Sequence, residues 1–61
     1  MIREYVAQFD NGHDKTEIHY ESTHRAGSKA NQEDAEREFR MRMGASMARA
    51  YYFTWCGLQT R

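Results

Sequence analysis

Cys56 and the three histidines, His13, His19 and His24, are the side chains best suited to hold a soft metal or to pair a nucleophile with a base. A structural zinc site requires ligands clustered in short, convergent spacings. His19 and His24 stand five apart, but a strand and a loop aim them in different directions, so surface histidines are expected rather than a metal site. Cys56 lies in an aromatic run without a local nucleophile signature, where a thiol is ordinarily buried and inert. Paired carboxylates need a cleft to perturb them, and so short a chain rarely builds one. No enzyme activity, metal or cofactor is expected.

Binding chemistry is better represented. Arg25-Ala26-Gly27-Ser28-Lys29 precedes a helix-forming stretch. Free N–H groups at a helix start favour anions, so Arg25, Ser28 and Lys29 form a candidate phosphate or carboxylate site. A capped helix start with two solvated cations fits the same residues. Arg25, Lys29, Arg40, Arg42, Arg49 and Arg61, with Tyr51, Tyr52 and Trp55 as stacking platforms, have the composition of a single-strand nucleic-acid groove. Against that reading, three helix arginines have glutamates four positions before them and the pI is about 6.8.

These residues need elements to position them. Residues 2–9 alternate, with Tyr5, Ala7 and Phe9 on one face, and residues 16–23 alternate again, with Ile18 and Tyr20 together. Asp10-Asn11-Gly12-His13-Asp14 between them is turn chemistry, which predicts a hairpin with one buried face. Ser28 or Asn31 can cap the helix that follows. Ala35, Phe39 and Met43 recur every four residues along one stripe. Glu33–Arg37, Glu36–Arg40 and Glu38–Arg42 are spaced for ion pairs on its wet side. Gly44 is a natural stop, although Met47 also extends the stripe, so residues 45–50 fit either a continued helix or a loop.

Tyr51-Tyr52-Phe53-Thr54-Trp55-Cys56 reads as a third strand. The expected fold is α+β, in the order β-β-α-β, with one helix packed on one face of a three-stranded antiparallel sheet. Its expected core is Tyr5, Ala7, Phe9, Ile18, Tyr20, Ala35, Phe39, Met43 and Phe53, with Trp55 at the margin. Strict alternation sets Tyr51, Phe53 and Trp55 on one face and Tyr52 and Cys56 on the other, and a single helix covers only one. The uncovered surface around Tyr52, Trp55 and Cys56 is therefore a candidate interface, with Arg49 on its rim and the adaptable Met41 as a further contact.

Length and charge bound the rest. The 61 residues suffice for one domain, 1–61, with a small core. A lone cysteine excludes an internal disulfide, and no run approaches the ~20 apolar residues of a membrane helix. Met1–Tyr5 lacks the apolar core of a signal peptide, so a cytoplasmic location without membrane contact is expected. Nine basic residues balance nine acidic ones, yet residues 1–23 carry two against five and residues 24–61 seven against four. A neutral chain can thus still present charged faces.

The stretch Tyr20-Glu21-Ser22-Thr23-His24-Arg25-Ala26-Gly27-Ser28-Lys29-Ala30-Asn31, running on to Asp34-Ala35, resembles a pattern in small uncharacterised proteins of bacteriophages and mobile elements. The resemblance implies a hairpin, polar connector and helix, and a genomic neighbourhood rather than an activity. Double-stranded RNA-binding domains and the sheet domains of phage integrases share that layout. Gly27-Ser28-Lys29 is similar to their helix start, but their lysine- and alanine-rich helix is here acidic. The expected function is non-enzymatic docking on a host protein, with a nucleic-acid-binding module as the alternative and a homodimer as a further possibility.

Overall fold

The computed structural model describes residues 2–58. β1 (Arg3–Asp10) and β2 (Lys15–Ser22) form the hairpin, in register from Arg3↔Ser22 to Asp10↔Lys15. The turn is closed by its own side chains. Asp10 Oδ1 accepts from the Gly12 N–H at 2.7 Å, and Asn11 Oδ1 accepts from the His13 and Asp14 N–H groups at 2.9 and 2.6 Å. Gly12 has φ +93°, a conformation that a Cβ would strain.

α1 (Lys29–Met43) crosses the sheet, a single turn α2 (Ala45–Ala48) follows, and β3 (Tyr52–Leu58) returns antiparallel to β1. The order β2-β1-β3 puts β1 in the centre. The expected α+β fold is thus the observed one. Residues 45–50 adopt neither simple alternative. Gly44 takes φ +89° while its N–H reaches the Arg40 carbonyl at 2.8 Å, which ends α1 and lets α2 start in a new direction. Ala48 consequently enters the core, and Met47 is 57% exposed rather than extending the α1 stripe.

The core gathers Tyr5, Ala7, Phe9, Ile18, Tyr20, Ala35, Phe39 and Ala48, with Met43, Tyr51, Phe53 and Cys56 packed around it. Its centre is aromatic. The Phe9 and Phe39 rings stack with centroids 4.0 Å apart, while Phe53 meets Phe9 and Tyr51 meets Phe39 edge-on.

One buried polar group fixes how helix and hairpin meet. Ser28, not Asn31, is the helix cap, its Oγ accepting from the Asn31 N–H at 3.2 Å. Asn31, fully buried, instead accepts from the Tyr20 hydroxyl at 2.5 Å and donates to the His24 carbonyl at 2.8 Å. Burial, then the neighbouring Cys56, pushes the Tyr20 phenol far above its ordinary value of 10.0. Nearby, Asp34 accepts from Ser22 Oγ at 2.6 Å and from Arg37 at 2.9 Å, and these two bonds hold its carboxyl below the usual range.

Candidate functional site

β3 carries the decisive irregularity. Gln8 is opposite Trp55, but the next residue of β1, Phe9, is opposite Phe53, so Thr54 is an extra residue in a β-bulge. Its hydroxyl donates to the Gln8 carbonyl at 2.9 Å. One inserted residue reverses the facing of everything beyond it. Phe53 and Cys56 therefore point towards α1, opposite Phe9 and Ala7, while Tyr52 and Trp55 share the open face of the sheet.

Two sequence expectations are corrected by that bulge. Trp55 is not at the core margin beside Phe53 but 51% exposed. Cys56 is not an open-face residue, since it packs against the core with Sγ 3.6 Å from Asn31 Oδ1.

The open face can be read row by row across the three strands. Tyr52, Asp10 and Lys15 form one row, Trp55, Gln8 and Glu17 the next, and Gly57, Val6 and His19 the third, with Glu4 and Glu21 beyond. Tyr52 and Trp55 are 57% and 51% exposed. Gln8 Nε2 donates to Glu17 at 3.2 Å. The face thus holds four carboxylates, from Glu4, Asp10, Glu17 and Glu21, against one lysine.

The Trp55 indole lies over Gly57, where an added Cβ would stand 2.8 Å from its Cζ2 and Cη2. Gly57→Val is expected to leave the fold intact, because the flexible indole can move aside, but to lift it off the sheet. Unchanged melting temperature with a shifted tryptophan emission maximum would show this; unchanged emission would contradict the contact.

The other candidate residues lie elsewhere. Met41 is 75% exposed on the outer side of α1, across the molecule from Tyr52 and Trp55, so it is corrected out of that surface. Ser28 is corrected as an anion donor, because its hydroxyl proton is directed to the Arg25 carbonyl at 2.7 Å. Arg25 and Lys29 are exposed and make no ion pair among the described residues. Of the three expected helix pairs only Glu38–Arg42 forms, at 2.7 Å. Arg37 pairs with Asp34 instead, and Glu36 accepts from Gln32 at 3.1 Å, leaving Arg40 without an acidic partner among the described residues. Arg61 lies outside the described residues.

Sequence reasoning did not foresee a cleft of about 450 Å³ between α1, α2 and the start of β3. Phe9, Phe39, Tyr51 and Phe53 line it, with Arg40 and Arg49 among its polar residues. Arg49 therefore belongs to this cleft, and Tyr52 stands where the cleft meets the open face. The Glu36–Arg40 spacing had suggested a neutralised Arg40, which concealed it.

Among the described residues no group of His, Cys, Asp and Glu is placed to hold a metal ion, and no helix is long and apolar enough to cross a membrane. The geometry defines a small α+β domain with an acidic, aromatic sheet face. No protein-family model, curated protein or solved structure matches the chain.

Proposed function

We propose that this chain is a non-enzymatic binding module of the phage or mobile-element type, which docks through its open sheet face on a host protein in the cytoplasm. The observation supporting this most strongly is that the Thr54 bulge sets both exposed aromatics, Tyr52 and Trp55, among carboxylates. Exposed aromatic side chains are typical interface anchors. Acidic surroundings favour a cationic partner, whose arginines and lysines gain both charge pairing and cation–π contact.

The same arrangement weighs against nucleic acid. Phosphates would meet Glu4, Asp10, Glu17 and Glu21 on the face that carries Trp55, whereas Arg25, Lys29, Arg40 and Arg42 come from the helix side. Trp55 is thus separated from those cations by the sheet, and of the three candidate stacking platforms only Tyr51 and Tyr52 share a cleft with Arg40 and Arg49. Self-pairing through this face is disfavoured too, because a two-fold interface sets this net-acidic patch against its own copy. Light scattering at low micromolar protein and moderate salt is expected to give the mass of one chain; a dimer would contradict that reasoning.

Capture of host proteins by immobilised wild type and Trp55→Ala, alongside titration with single-stranded oligothymidylate, tests the proposal. A basic host protein retained by the wild type and bound at least about thirtyfold more weakly by Trp55→Ala supports it. Quenching of Trp55 by the oligonucleotide at low salt, lost as salt rises, would replace it with the nucleic-acid reading.

A further inference from the structure

The cleft between α1, α2 and β3 adjoins the docking face at Tyr52 but has a chemistry of its own. Its apolar lining is the edge of an aromatic cluster, in which Tyr51 and Phe53 are half-buried while Phe9 and Phe39 lie beneath them in the core. Two exposed guanidinium groups, Arg40 and Arg49, line it from α1 and from the end of α2. Neither has an ion-pair partner among the described residues. A volume of about 450 Å³ falls in the range of small-molecule sites.

We infer that this cleft binds a small aromatic carboxylate, its ring against the half-buried Tyr51 and Phe53 and its carboxylate between Arg40 and Arg49. Two half-open rings suit a planar apolar body, because offset and edge-on contacts to Tyr51 and Phe53 are available to it. Guanidinium forks match a carboxylate geometrically. Glu36 also lines the cleft, so its formal charge is one positive unit, which suits a monoanion better than a phosphate dianion. Both arginines being solvent-exposed, electrostatic gain alone is small and the aromatic wall must share the binding.

The test is an amide-resolved NMR titration of the full chain with 3-phenylpropanoate, 3-phenylpropanamide and inorganic phosphate. Expected are shifts at Arg40 and from Ala45 to Phe53, with the acid bound about threefold more tightly than its neutral amide. The variant Arg40→Gln/Arg49→Gln should keep its dispersed spectrum and bring acid and amide to equal affinity. Equal affinity of acid and amide for the wild type would overturn the inference without recourse to any variant. So would phosphate shifting the same amides as strongly, shifts centred on Val6 and Trp55, or no shift at millimolar probe. Failure here leaves the docking face untouched, since none of these readouts depends on Trp55.

Discussion

Phe39→Ala is expected to remove much or all of the folding stability at 25 °C. Phe39 is nearly inaccessible to solvent, stacks on Phe9 at 4.0 Å and meets Tyr51 edge-on, so it links α1 to both the sheet and the start of β3. Truncating such a phenylalanine removes about 3–5 kcal/mol. A chain of 61 residues has a total stability of about 3–9 kcal/mol, so the loss takes much or all of it. Chemical denaturation followed by far-UV circular dichroism reads the result. A sigmoidal transition of wild-type midpoint would mean that the ring stack is not the centre of the core.

Asn31→Leu should be nearly as damaging, for a different reason. It leaves the Tyr20 hydroxyl buried without its acceptor, and a stranded buried group of that kind costs about 1–3 kcal/mol. Adding Tyr20→Phe removes the orphan, so the double variant should be more stable than the sum of the single losses implies. Strict additivity in the double-mutant cycle would show that the two groups do not interact.

Burial of the Tyr20 phenol has a pH signature of its own. Below pH 10 the Tyr20 phenol is protonated in both states and adds no pH dependence. Above it the unfolded chain releases the proton first, because the folded value is raised, and stability falls as pH climbs. Wild type should therefore lose more stability in this range than Tyr20→Phe.

The legible part of the fold was carried by periodicity and turn chemistry. Asp10-Asn11-Gly12 announced the hairpin, and Ala35, Phe39 and Met43 announced the buried side of α1. Extended back one turn, that stripe lands on Asn31. A polar residue in register with a core stripe was the available signal for the buried hydrogen bond, overlooked because Asn is also a good cap. The helix ion pairs were only partly legible, since Asp34 competes for Arg37 at three residues' spacing while Glu33 stands at four.

The bulge had no comparable signal. Tyr51-Tyr52-Phe53-Thr54-Trp55-Cys56 offers apolar surface at nearly every position, so period two cannot be phased from the sequence. Phase comes from the partner strand, where Ala7 and Phe9 must face the helix and so draw Cys56 and Phe53 to the same side. The candidate face was therefore legible in composition but not in membership. Tyr52 and Trp55 belong to it, Cys56 and Met41 do not, and its acidic character arises from the hairpin, distant in sequence from the aromatics.

The most direct test of that face is collisional quenching of Trp55, the only tryptophan in the chain, by acrylamide, caesium and iodide, each scaled to a free tryptophan amide. Exposure on an acidic face requires substantial acrylamide quenching, with caesium relatively more effective than iodide and the difference shrinking as inert salt is added. Iodide outperforming caesium would place Trp55 in basic surroundings and favour nucleic acid. Near-complete protection from acrylamide would put the indole in the core and contradict the bulge itself.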